Sequence, residues 1–206
     1  MSNTLFETIN KTINALNVNT ISEERKAVLT PLINYVKEKI EANQPIRLNF
    51  ICTHNSRRSH LSQIWAQTMA AHFNINNVNC YSGGTEATAM FPKVGETLQN
   101  QGFKINQLSE GSNPVYSVKF SENAPAVIAF SKRYENAFNP SSNFAAIMTC
   151  SSADQGCPMV LGCDKRVAVT YEDPKQSDGT PQQTETYFNR SLEIATEMKY
   201  VFGSLL

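Results

Sequence analysis

The segment Cys52-Thr53-His54-Asn55-Ser56-Arg57-Arg58-Ser59 brings a thiol, two guanidinium groups and three hydroxyls into one short stretch, with five residues between Cys52 and Arg58. It lies between an apolar run (Ile46, Leu48, Phe50, Ile51) that reads as a buried strand and a helical period carried by Leu61, Ile64, Trp65, Met69 and Phe73. A short loop that runs from a strand into a helix turns several unpaired N–H groups toward one concavity. The helix dipole adds partial positive charge there. Such a place holds an oxyanion and favours thiolate over thiol. Thr53, His54, Asn55, Ser56 and Arg57 are therefore expected to form an oxyanion-binding loop. Arg58 can clamp two oxygens of a tetrahedral anion as a fork. Ser59 can donate to the Cys52 sulfur and make it a better leaving group, and Asn55 tolerates the left-handed backbone that a tight loop requires. A Cys-x5-Arg spacing alone also arises by chance, and an inert cysteine at a strand end is the plain alternative. The strand–loop–helix setting and the adjacent serine favour chemistry.

The elements that must position this loop follow from the rest of the 206 residues. Leu5, Ile9, Ile13 and Leu16, then Leu29, Leu32, Ile33, Val36 and Ile40, give helical stripes over residues 1–45. Thr20 and Glu23 have the spacing of a capping box, and Pro31 either kinks the second helix or sits in its first turn. Further strands are read at Val78–Tyr81, closed by Ser82-Gly83-Gly84-Thr85, and at 126–130, 145–148 and, more weakly, 167–169. A helix starts after Pro92 with Val94 and Leu98 and stops at Gly102. Phe188, Leu192, Ala195, Met198 and Phe202 mark a long C-terminal helix. Residues 104–125 are polar and give no clear element. Strands alternating with helices predict an α/β fold with a parallel sheet covered on both faces. The division expected is a helical N-terminal extension, 1–45, and a catalytic domain, 46–206.

Composition narrows the function. Eighteen Lys and Arg balance eighteen Asp and Glu, with a pI near 6.8. This leaves no basic field for nucleic acid. No apolar run is long enough to cross a bilayer, and no signal peptide is visible, so the expected location is the reducing cytoplasm. The oligomeric state is not encoded legibly. The five cysteines (Cys52, Cys80, Cys150, Cys157 and Cys163) are an odd number. In that compartment they favour catalytic, redox or metal roles over a disulfide framework. Cys80, at the end of a strand, reads as core.

Phe50 to Ser59 resembles the P-loop of the low-molecular-weight protein tyrosine phosphatases and the related thioredoxin-coupled arsenate reductases. Tyr81-Ser82-Gly83-Gly84-Thr85-Glu86-Ala87 is similar to the family's segment after the second strand. Tyr171-Glu172-Asp173-Pro174 is similar to its general-acid loop, and Cys150 to Pro158 resembles the Cys-x6-Cys-Pro segment of the reductases. The resemblance covers residues 46–206. It implies a four-stranded parallel sheet flanked by helices, with Cys52 as nucleophile, Arg58 as anion clamp and Asp173 as general acid. Cys150 and Cys157 are implied as resolving thiols, and an external dithiol reductant such as thioredoxin as partner, with no bound cofactor. Two thiols on one segment suit a relay, because thiol–disulfide exchange proceeds through mixed disulfides between sulfurs brought within bonding distance.

Arsenate reduction to arsenite, a step in arsenic detoxification, is thus the first expectation. Hydrolysis of phosphotyrosine or another phosphate monoester is the alternative, and a silent oxyanion- or phosphopeptide-binding module is a third reading, which the intact Cys52, Arg58 and Asp173 set opposes. Asp173-Pro174 is followed by Lys175-Gln176-Ser177, so no aromatic wall for a phosphotyrosine ring is evident. Asp173 could also be only a turn residue before proline. Zinc held by Cys150, Cys157 and Cys163 is disfavoured: zinc sites more often use a closer Cys pair, and no His lies nearby. Cys163 is a third redox thiol or a packed side chain. Several positions depart from the family pattern. His54 stands where Gly is common, Arg57 where a second loop Cys is common, and Gln63 where many reductases carry a Glu associated with a monovalent cation. Arg57 either adds a cation beside the loop or points to solvent, and solvent is the favoured reading.

Overall fold

Apolar residues dominate Ile46–Cys52, and this run forms β1, buried along nearly its whole length. In the computed structural model, which describes residues 4–156 and 159–206, β1 sits inside a parallel sheet. The other strands are β2 (Val78–Gly84), β6 (Phe144–Met148) and β7 (Cys163–Ala168), in the order β2-β1-β6-β7. Register is continuous from Ile46 opposite Val78 to Cys52 opposite Gly84, and from Leu48 opposite Ala145 to Ile51 opposite Met148. Helices α1 (Glu7–Ala15), α2 (Glu23–Glu41), α3 (Arg58–His72), α4 (Pro92–Asn100), α5 (Ser151–Gly156) and α6 (Gln183–Gly203) complete the α/β arrangement. The expected four-stranded parallel sheet flanked by helices is present.

The strand expected at 126–130 does not join it. It forms β5 (Val127–Ala129) at one edge of a separate antiparallel sheet, with β3 (Lys104–Gln107) and β4 (Tyr116–Lys119), in the order β3-β4-β5. β3 and β4 fall within 104–125, where no element was legible. Most of β3 is exposed, so the hydrophobic alternation that reveals a strand is missing there. The fourth strand of the parallel sheet begins at Cys163, ahead of the apolar stretch that marks it in the sequence.

The N-terminal helices share one apolar cluster with β1, α3 and α6. Ile9, Ile13, Leu29, Leu32 and Val36 are buried beside Trp65, Ile194 and Met198. Ser22, rather than Thr20, caps α2 and accepts from the Arg25 N–H at 3.2 Å. Pro31 lies in the interior of α2 rather than in its first turn. At the far end of α1, the Lys199 ammonium donates to the carbonyls of Ile13 and Leu16 at 2.8 and 2.9 Å, which satisfies orphan C-terminal groups. Gly102 (φ +102°) follows α4 and lets α1 approach, for a Cβ there would lie 2.7 Å from the Thr8 Cβ. The buried face of α6 runs through Tyr187, Ser191, Ile194, Ala195, Met198, Val201 and Phe202. The stripe read from the sequence was slightly rotated from this face, and Phe188 is 40 % exposed.

Because Ile13 is fully buried in the cluster that also holds α3 and α6, Ile13→Ala is expected to cost about 2–5 kcal/mol. Urea denaturation followed by far-UV and tryptophan signals should show one shifted transition; early loss of helix signal alone would contradict a shared core.

Candidate oxyanion site

Parallel strands deliver their C-terminal ends to one edge of the sheet, where open α/β folds place their ligand crevices. Cys52 closes β1. Cys150 follows β6 by two residues and Asp173 follows β7 by five. Thr149 ties these ends together: its N–H and hydroxyl both donate to the Ile51 carbonyl at 2.7 and 3.0 Å, and its own carbonyl accepts from the Tyr171 N–H at 3.1 Å. Three residues far apart in sequence are thus brought to the same edge.

The loop between β1 and α3 is held in shape by Asn55. Its backbone is left-handed (φ +45°), as its residue type permits. Its Oδ1 accepts from the Lys132 backbone N–H at 2.9 Å, so the amide orientation is fixed and Nδ2 must be the atom donating to Ser59 Oγ, also at 2.9 Å. Ser59 Oγ lies 3.1 Å from Cys52 Sγ. Since the serine oxygen already accepts from Asn55, its own hydrogen is available to the sulfur. The chain Asn55 to Ser59 to Cys52 therefore directs a hydroxyl hydrogen at the sulfur. Behind the loop, the Cys52 carbonyl accepts from Thr85 N–H at 3.1 Å and the Thr53 carbonyl from Glu86 N–H at 2.8 Å. Ser131 Oγ donates to the His54 carbonyl at 2.9 Å, and the buried Ser56 accepts through its carbonyl from Phe91 N–H at 3.0 Å. The His54 imidazole is on the outside, 3.6 Å from the Glu86 carboxylate. Gly84 is required by close approach, for a Cβ there would lie 2.3 Å from Glu86 O and 2.6 Å from Thr53 O.

Arg58 begins α3 and meets Asp173. One terminal nitrogen donates to Asp173 Oδ2 at 2.5 Å and the other to the Tyr171 carbonyl at 2.9 Å. Asp173 also caps the short turn after it, with Oδ1 accepting from the Lys175 N–H at 3.1 Å. It is therefore a turn residue as well as the acidic partner of Arg58.

Arg57 does not point to solvent. It donates to Tyr187 OH at 2.5 Å and Asp178 Oδ2 at 2.6 Å, and lies 4.1 Å from the centre of the Phe91 ring. Its stem crosses an aromatic face, and its charge is matched by an aspartate from the segment after Asp173. These partners are 121 to 130 residues away in sequence, which is why the local pattern gave no sign of them.

Cys150 is buried, with Thr53 Oγ1 3.5 Å from its sulfur and the Ala153 N–H donating to it at 3.3 Å. Cys52, Cys150, Met148 and Val160 belong to one small apolar cluster, against which the half-buried Cys163 packs. Burial pushes the Cys163 thiol up, and pushes the core residue Cys80 far up. Cys157 lies outside the described residues. Among the described residues, no cluster of three or more His, Cys, Asp or Glu side chains could hold a metal ion, and no helix is long and apolar enough to cross a membrane.

Polar groups behind the loop were not legible. Lys132 is 2 % exposed, donates to the Phe130 carbonyl at 3.3 Å, and lies over the rings of Phe130 and Phe138 at 4.4 and 5.4 Å. Burial lowers it to about 8. His60, fully buried on α3 with Nδ1 3.3 Å from Ser82 Oγ, is lowered to about 3, first by burial and then by the Lys132 charge. Gln63 Nε2 donates to the carbonyls of Cys80 and Ile128 at 3.1 and 3.3 Å, so it joins the edges of the two sheets. A lysine or histidine in a polar stretch reads as solvated; only the packed back wall makes them interior.

With this geometry in view, comparison with known proteins is direct. The low molecular weight phosphotyrosine protein phosphatase family model matches residues 47–139. The chain is similar to that family. The match spans the loop and its back wall but ends before Cys150 and Asp173. An arsenate reductase of Bacillus licheniformis is 27 % identical over 141 residues, which is 68 % of this chain and 83 % of the relative. Among solved structures, a YwlE mutant from Bacillus subtilis aligns with a TM-score of 0.50 at 15 % identity, covering 78 % of this chain and 98 % of the other. An arsenate reductase in the phosphate binding state gives 0.50 at 16 %, covering 78 % and 99 %. These structural likenesses establish the shared phosphatase-type fold.

Two outcomes test the loop's supports. Gly84→Ala forces backbone apart at the back of the loop, and turnover should fall at least about tenfold while other core signals persist. For Lys132, whose pKa drops from 10.5 unfolded to about 8 folded, the unfolded chain binds more protons between those values. Stability must therefore rise with pH across that window and carry its full penalty below it. Lys132→Met should remove a rise of up to about 3 kcal/mol, read by urea unfolding at successive pH values.

Proposed function

We propose that this protein is an arsenate reductase that uses the Cys52 thiolate as nucleophile and a cysteine relay to complete the reduction. The observation that carries the reading is the position of Cys150. It is buried at the same strand-end edge as Cys52, with its sulfur 3.5 Å from the hydroxyl of the neighbouring loop residue Thr53. A hydrolase has no use for a second thiol there. The cleft beside Asp173, about 430 Å³, is lined by Glu172, Gln176, Thr180, Thr186 and Arg190 among others, with no aromatic ring, so the segment after Asp173 offers no wall for a phosphotyrosine ring.

Arsenate enters the loop and draws the Arg58 fork onto two of its oxygens, in place of Asp173. First-turn N–H groups of α3 take further charge. Cys52 Sγ attacks arsenic as Asp173 protonates the departing oxygen, and water leaves. Cys150 then attacks Cys52 Sγ. The sulfur–arsenic bond breaks with its electron pair moving to arsenic, so As(V) becomes As(III), arsenite is released, and a Cys52–Cys150 disulfide forms. Cys157 attacks Cys150 and frees Cys52. A cytoplasmic dithiol of the thioredoxin type reduces the Cys150–Cys157 bridge and is oxidised in turn. Ser59 stabilises the sulfur at both stages by its hydrogen bond.

A second reading is hydrolysis of a phosphate monoester through a Cys52–phosphate intermediate, with water as the second nucleophile and Asp173 as acid, then base. It is favoured by the family model over residues 47–139, and its first step is identical.

The two readings separate in one set of assays. Cys52→Ser should abolish both activities. Cys150→Ser is expected to lower thioredoxin-dependent arsenate turnover at least about a hundredfold while leaving p-nitrophenyl phosphate hydrolysis near wild type. Mass mapping after one arsenate turnover should reveal a Cys150–Cys157 bridge. Full arsenate reduction by Cys150→Ser would end the relay.

A further inference from the structure

We propose that Arg25, in the N-terminal helix α2, is a positioning residue for Arg58, acting through Glu197 and Tyr171; this rests on reading the Cys52–Arg58 loop as an oxyanion-transfer site. The link is continuous. Arg25 Nε donates to Glu197 Oε1 at 2.6 Å and Nη2 to Oε2 at 2.9 Å. Glu197 belongs to α6 and its side chain is only 5 % exposed. The same Oε2 accepts from the Tyr171 hydroxyl at 2.7 Å. The Arg25 guanidinium also lies 4.9 Å from the centre of the Tyr171 ring. The Tyr171 carbonyl, in turn, accepts from Arg58 at 2.9 Å.

Tyr171 is therefore fixed at both ends, and the fixture at its hydroxyl end is a buried carboxylate. Such a carboxylate keeps its charge inside the protein only beside a matching cation. In the described structure, Arg25 supplies it in bidentate form, a geometry that lysine does not reproduce. The consequence concerns geometry at Arg58. Its fork must leave Asp173 for the substrate anion, and the Tyr171 carbonyl is then the fixed point from which it swings. A segment with sequence far from the loop, in helices that read as mere packing, sets that point.

Arg25→Gln and Tyr171→Phe test this in the full chain, singly and combined. Tyr171→Phe retains the Arg25–Glu197 pair and the ring, so it guards against a result that reflects unfolding alone. Each single variant, normalised to folded protein, is expected to lower kcat/KM for arsenate or p-nitrophenyl phosphate between about tenfold and a hundredfold. Each should also weaken competitive inhibition by inorganic phosphate. The double variant should fall no further than the worse single one, because both cut the same chain. A role in folding alone would lower thermal stability and leave the kinetics and phosphate inhibition of the folded fraction unchanged, which would overturn the proposal. So would losses that multiply in the double variant. A wild-type protein that turns over neither substrate would instead remove the reading of the site, and this proposal with it.

Discussion

A left-handed asparagine keeps the loop after β1 wrapped around a sulfur. Asn55 faces two ways at once, accepting from the backbone behind the loop and donating to Ser59 within it. Its conformation (φ +45°) is one that few side chains adopt without strain. That bridge ties the serine hydroxyl, 3.1 Å from the Cys52 sulfur, to the backbone behind the loop. The side chains that serve the sulfur, the anion and the back wall are arranged around this one turn.

Charge is handled in two different ways around the loop. At the start of α3, Arg57 and Arg58 are paired with Asp178 and Asp173 from one segment. In the structure each of these guanidinium charges is matched by a carboxylate. Behind the loop, Lys132 has been given two aromatic faces and one carbonyl instead of a carboxylate. Burial there favours its neutral form, and its charge helps keep the adjacent His60 neutral. The arginines at the front of the loop are thus held by carboxylates, and the lysine behind it by rings and a carbonyl.

The N-terminal helices are part of the core rather than an appendage to it. Here Ile9 and Ile13 lie fully buried with Trp65 of α3 and Met198 of α6, and Lys199 of α6 caps α1. α6 is the shared element: it touches the extension on one side and, through Tyr187 and Glu197, the anion-site segment on the other. Helix packing transmits position because close-packed interiors do not deform continuously.

Local sequence was enough for features that depend on adjacent residues. A thiol, an asparagine able to go left-handed, a serine and an arginine in one strand–loop–helix segment define the loop. The apolar period defines most helices, and alternation of strand and helix defines the parallel sheet. It was not enough wherever a partner lies far along the chain. Arg57 looked solvated because Asp178 and Tyr187 are more than a hundred residues away. β3 and β4 were not legible because each has only four residues and β3 is mostly exposed, so neither pattern is long enough to read. Lys132 and His60 gave no sign of their burial, because burial is a property of packing, not of residue type. The sequence determined which chemical groups the loop contains; only tertiary structure decided which charges meet, because long-range electrostatic partners are chosen by the packing of elements and leave no periodic mark on the chain.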